Sequence, residues 1–137
     1  MTVTTAGGVP LAMNIVASTV TLSVADPGAS TRFFTTHLGY REVLADEEFV
    51  ILGRDDAAPD VLLRQRDLEL PPGPGPVWVL VSFAVTGVAA EYERLRREGA
   101  HITVPLRREP WGEQLLELTD PNGIVVQLTE WIPPAGA

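Results

Sequence analysis

The chain has 137 residues, 45% of them hydrophobic, carries a formal net charge of -8 and contains no cysteine. That length suits one compact core and is short for two independent ones. The absence of cysteine excludes disulfides, cysteine-ligated zinc, iron–sulfur clusters and thiol nucleophiles.

The negative charge repels phosphate backbones, which argues against nucleic acid, and favours cationic ligands. No apolar run approaches the roughly 18 residues of a membrane span, and no Lys or Arg opens a signal peptide. A soluble cytoplasmic protein is therefore expected. Residues 1–17 begin with Thr, Gly and Ala and then alternate through Val9, Leu11, Met13 and Ile15, as a tail, an extra edge strand or an arm that packs on a partner chain.

Thr19 to Val24 reads as a first strand, with Val20, Leu22 and Val24 on one face and Thr19, Thr21 and Ser23 on the other. Asp26-Pro27 supplies an N-cap and a first-turn proline, and Gly39 a stop, which predicts a helix over Pro27 to His37. Strands are predicted at Tyr40–Ala45, Phe49–Gly53 and Val61–Arg66, with a polar loop from Arg54 to Pro59. Leu70-Pro71-Pro72-Gly73-Pro74-Gly75-Pro76 removes donors and fixes φ, so it is a linker. The same order then returns: a strand over Val77–Val85, a Thr86 N-cap, a helix over Val88–Arg97, Gly99 as stop, and a strand over His101–Pro105.

The chain closes on QLLELTDPNGIVVQLTEW, Gln114 to Trp131. Two β-branched, apolar runs flank Asp120-Pro121-Asn122-Gly123, in which Pro121 fixes φ and Asn122-Gly123 supply positive φ, so the segment reads as a hairpin. After the turn Ile124, Val126 and Leu128 share one face, while Val125, Gln127, Thr129 and Trp131 share the other. Equating helix stops and final strands superposes the halves: Thr19 falls on Leu80 and Arg64 on Gln127. The repeat is about fifty residues long and occurs twice, so it is a module duplication. The fold class is α+β, with two βαβββ modules at 18–70 and 77–132, joined by the linker at 71–76 and followed by a tail at 133–137.

Two such modules, with LGY at the first helix stop, VAAEYERLRREGA in the second and PWGEQLLELTDPNGIVVQLTEW at the close, resemble the vicinal-oxygen-chelate superfamily. That superfamily includes glyoxalase I, extradiol dioxygenases, fosfomycin-resistance enzymes and bleomycin-resistance-type drug-binding proteins. The resemblance spans Ser18 to Trp131. It implies curled mixed sheets that together enclose a cavity, helices outside, and a homodimer. It also implies where metal ligands would sit, and this chain places Thr19, Arg64, Leu80 and Gln127 there. None is a good ligand, because divalent ions need imidazole or carboxylate and a guanidinium has no lone pair to give. The chain's two histidines, His37 and His101, match neither position. His37 reads as a helix C-terminal residue suited to the dipole, and His101 as a surface residue. No metal and no cofactor are expected.

Val61 and Leu63 should face the helix, which turns Arg64 toward the cavity. There it is either a structural rim residue paired with Glu117 or another carboxylate, or a donor to a ligand carbonyl, carboxylate or phenolate. Gln127 can donate or accept across the same cavity. Trp78, Leu80, Ser82 and Ala84 share the inward face of their strand, and Trp111 lies in the loop that overhangs the mouth in the resembled drug-binding proteins. Phe49 can add a ring. Leu115 and Glu117 point inward, Glu117 as a ligand contact or a general base. Phe33, Phe34 and Phe83 read as core.

The ligand-binding candidates are therefore Thr19, Phe49, Arg64, Trp78, Leu80, Ser82, Trp111, Leu115, Glu117 and Gln127. No catalytic residue is assigned. The expected function is metal-independent sequestration of a hydrophobic or aromatic natural-product antibiotic, polycyclic or enediyne types included, giving resistance or self-resistance. Alternatives are a metal-free isomerase, cyclase or cofactor-free oxygenase of the same fold, and a metal-dependent enzyme with unexpected ligands.

Overall fold

The computed structural model describes residues 16–67 and 79–132. The Pro/Gly linker, Trp78, the C-terminal tail and all but the last two residues of the N-terminal arm lie outside them. The first module contains β1 (Thr19–Val24), α1 (Pro27–His37), β2 (Arg41–Ala45), β3 (Phe49–Gly53) and β4 (Asp60–Gln65). The second contains β5 (Leu80–Ala84), α2 (Val88–Arg97), β6 (Ile102–Arg108), β7 (Glu113–Thr119) and β8 (Val125–Trp131).

Each module is a four-stranded mixed sheet, ordered β1-β4-β3-β2 and β5-β8-β7-β6. The first strand pairs parallel with the last, which the intervening helix makes possible by crossing over one face. The sheets are separate and open, not closed on one another.

Period-two alternation decides which face is buried. Leu22, Val24, Leu52, Val61 and Leu63 in the first sheet, and Leu116, Leu118, Val126 and Leu128 in the second, join Phe33, Phe34, Val88 and Leu95 of the helices in one core cluster. Phe33 and Phe34 meet edge-to-face at 5.9 Å, Phe34 meets Tyr40 at 5.5 Å, and Tyr40 reaches Phe83 of the second module at 6.3 Å. The core thus runs through both modules. Among the described residues no helix is long and apolar enough to cross a membrane.

Asp26 caps α1 as expected, its carboxylate accepting from the Ala29 N–H at 3.2 Å. The expected Thr86 cap of α2 gives way to Gly87, which is left-handed and has no side chain to offer. The Glu130 carboxylate on β8 takes its place, accepting from the Gly87 and Val88 N–H groups at 2.9 and 3.1 Å. A contact 43 residues away does the work of a local one. β6 runs three residues past its expected end, to Arg108, with irregular register opposite β7.

The hairpin turn also differs in detail. Only Gly123 has positive φ, at 88°, and its N–H donates to the Asp120 carbonyl at 2.9 Å. Asn122 keeps negative φ and uses its side chain elsewhere. Its amide donates to the Asp26 carbonyl at 2.6 Å and to Ser30 Oγ at 2.7 Å, and its oxygen accepts from the Asp26 N–H at 3.0 Å. Buried Asp120 accepts from the Ser30 hydroxyl and, at 2.9 and 2.8 Å, from the Asn122 and Ile124 N–H groups. The turn of one module is therefore a latch on the helix N-terminus of the other.

The far end of α1 is held as well. His37 Nδ1 lies 2.8 Å from Glu98 Oε1, Arg94 donates to the His37 carbonyl at 3.0 Å, and Arg54 donates to the Leu38 carbonyl. These donors satisfy carbonyls that the helix end leaves open.

Candidate functional site

Because the helices cover one face of each sheet, the other face holds the chemistry. In the first sheet the register sets Ser23, Arg64 and Phe49 in one row across β1, β4 and β3, with Thr21, Leu62 and Ile51 in the next. Arg64 is exposed and donates to Ser23 Oγ from Nε and Nη2 at 3.3 and 3.1 Å. It has no ion-pair partner among the described residues. Thr19 opens β1 opposite Asp60 and is exposed.

In the second sheet Ser82, Gln127 and Glu117 form one row across β5, β8 and β7. The Ser82 hydroxyl donates to Gln127 Oε1 at 3.0 Å, and Gln127 Nε2 donates to Glu117 Oε2 at 3.2 Å. Apolar rows flank it. Leu80 and Val125 lie on one side, with Leu80 52% exposed, and Ala84, Thr129 and Leu115 lie on the other. Leu115 is buried yet stands outside the main core cluster. Trp111 sits in the turn between β6 and β7, 56% exposed.

The described strand candidates thus fall into two groups, one on each sheet. No hydrogen bond or ion pair among the described residues joins Arg64 to Glu117: Arg64 turns to Ser23, and Glu117 to Gln127. The assumed equivalence of the halves also needs correction. Leu80 lies one row, two residues along, from Ser82 and Gln127. The same step from Thr19 reaches Thr21 and Leu62, and Arg64 lies two residues further along β4. Ser23 and Trp131 belong to these open faces and were absent from the candidates. Trp131 is 59% exposed, on the face where the alternation in the sequence already sets it beside Gln127 and Thr129.

A cleft of about 850 Å³ lies elsewhere, between the modules. Tyr40, Arg54, Ser82, Phe83, Glu91 and Arg94 are among its walls, and among the described residues Ser82 is the one candidate it includes. Its charges are mutually compensated: Arg54 binds Asp56 at 2.7 Å, and Arg94 binds Glu91 and Glu98 at 2.7 and 2.9 Å. Tyr40 donates to the Pro59 carbonyl at 2.9 Å, and burial pushes its phenol up to about 12.

None of the four side chains read from the sequence at the family's metal-ligand positions fits a divalent ion, and Leu62, which the observed register puts level with Gln127 in place of Arg64, offers no donor. Thr19 offers a neutral hydroxyl, Leu80 nothing, Arg64 a permanent cation, and Gln127 an amide oxygen that Ser82 already occupies. Among the described residues no three His, Asp or Glu side chains are grouped to hold one.

Residues 16–128 match the family model described as Glyoxalase/Bleomycin resistance protein/Dioxygenase superfamily. Among solved structures, TioX from Micromonospora sp. ML1 is 22% identical with a TM-score of 0.69, covering 85% of this chain and 98% of its own. A glyoxalase/bleomycin resistance protein/dioxygenase from Nocardioides is 22% identical with a TM-score of 0.70, covering 93% of this chain and 89% of its own. Lactoylglutathione lyase from Agrobacterium tumefaciens is 17% identical with a TM-score of 0.66, covering 84% of this chain and 92% of its own. No curated protein matches the sequence.

Proposed function

Since the chain belongs to the Glyoxalase/Bleomycin resistance protein/Dioxygenase superfamily, we propose that it binds and sequesters a hydrophobic or aromatic natural-product antibiotic without a metal ion, conferring resistance or self-resistance. One observation carries this reading. The two sheet faces left open by the helices combine apolar side chains with the polar rows Ser23–Arg64–Phe49 and Ser82–Gln127–Glu117, which supply hydrogen-bonding groups but, among the described residues, no cluster of three imidazoles or carboxylates to grip a metal ion.

Burial of a flat apolar ligand against such faces gains about 25 cal/mol per Å². Arg64 and Gln127 set its orientation through directional donors. The protein works as a homodimer, in which a second copy covers faces that one chain leaves in solvent. Likeness to TioX, at 22% identity, speaks to fold alone.

The test is a calorimetric screen of the purified protein against planar quinone, enediyne-derived and glycopeptide antibiotics, followed by chemical recovery of the bound compound. Binding with the compound returned unchanged, and growth protection of a sensitive host expressing the protein, support sequestration. A bound compound returned chemically altered would replace it with a metal-free enzyme. A requirement for added divalent ion would refute it.

A further inference from the structure

Resting on that binding reading, we infer that the second sheet's open face recognises a protonated amine on its ligand, seated at Glu117. Gln127 presents either its oxygen or its nitrogen to Glu117, and only the nitrogen, a donor, is compatible with a carboxylate at 3.2 Å. That choice turns the amide oxygen toward Ser82, whose hydroxyl must then donate, as it does at 3.0 Å. Glu117 therefore polarises the whole row, which runs from the hydroxyl to the carboxylate.

The row ends in an unmatched acceptor. Among the described residues Glu117 has no ion-pair partner, and its Oε1 receives no hydrogen bond. Register places Glu113 on the same face of β7. Arg107, opposite Leu115, is the cation nearest in register, and it is committed to Glu109 at 2.6 Å. The face is thus net negative and flanked by Leu80, Val125 and Leu115, so its complement is a cationic donor carried on an apolar body. The first sheet differs in sign, since Arg64 there suits a carbonyl or phenolate. The ligand class is an amphipathic amine with an acceptor at its other end.

The experiment titrates the full-length protein, by quenching of its tryptophans, with two planar tricycles. One is 9-aminoacridine, a cation at neutral pH, and the other is anthracene-9-carboxylate, an anion. Wild type should bind the cation at least tenfold more tightly, with a preference that weakens as salt rises. Glu117→Gln, which keeps the shape and the bond to Gln127, should abolish the preference. Gln127→Glu, which adds a carboxylate to the row, should increase it and provides a second reading should the first variant misfold.

A single charge among a net -8 cannot erase a preference set by the molecule as a whole, so the loss reads the row itself. Equal binding of both probes, or a preference that survives Glu117→Gln and is unmoved by Gln127→Glu, overturns the amine assignment and leaves the binding reading standing. Failure of both probes to bind overturns the two together.

Discussion

Arg64 and Tyr40 are both polar side chains beside apolar neighbours, yet solvent decides opposite roles for them. Arg64 is exposed and held only by Ser23, so its removal should leave the fold intact and act on ligand. Arg64→Ala is expected to lose a charge-assisted hydrogen bond, about 1.5–3 kcal/mol, read by calorimetry as a roughly ten- to hundredfold rise in Kd with unchanged melting temperature.

Tyr40 is buried, and its phenol is raised from 10.0 to about 12 by burial. The unfolded chain loses that proton first, so the neutral form stabilises the fold fully below pH 10 and the contribution disappears as pH rises from 10 through 12. All ten basic residues are arginine and the chain has only two tyrosines, so few other groups titrate in that window. Urea midpoints measured at pH 9 and pH 11 should therefore fall in wild type and fall less in Tyr40→Phe. The variant itself should cost about 1 kcal/mol at pH 7 through the lost bond to Pro59.

Among the elements, α2 and the β7–β8 turn depend on partners distant in sequence. Glu130 accepts from two N–H groups at the start of α2, those of Gly87 and Val88, where a local Ser or Thr cap would accept from one. Glu130→Ala is expected to cost about 1–2 kcal/mol and Thr86→Ala almost nothing, the reverse of what local sequence implies; thermal melts of the two variants decide it. Asp120 is 3% exposed and receives three hydrogen bonds. Asp120→Ala leaves Ser30 and two backbone N–H groups without that partner, so a loss of about 3 kcal/mol in chemical denaturation is expected. Because the turn also holds Asp26 and Ser30, the same variant should speed amide exchange in the first turn of α1.

For the molecule as a whole, the helices lie on the joined side and the open sheet faces are partly exposed, with Leu80 and Trp131 in solvent and Leu115 buried. Val43, Leu44, Leu80, Trp111 and Trp131 are each more than half exposed, an amount of large apolar surface that a second copy or a ligand would cover. Light scattering after gel filtration is expected to give about twice the 14.8 kDa chain mass. A monomer at micromolar concentration would remove the homodimer from the proposal.

The sequence by itself determined the elements and the faces, because both rest on short-range physics. Alternation from Thr19 to Val24 and from Ile124 to Trp131 sorted helix-side from open side, Asp26-Pro27 started α1, and Gly39, Gly99 and Gly123 marked the reversals. It also determined the chemistry absent at Thr19, Arg64, Leu80 and Gln127, since side-chain donors are a property of the residue. Only the tertiary structure decided the partnerships: Arg64 with Ser23 in place of Glu117, Glu130 in place of Thr86 at the start of α2, and Asn122 with Asp26. Strand register and the packing of one module on the other bring these groups together. Contacts spanning 41 to 96 residues leave no periodic mark in the chain that makes them.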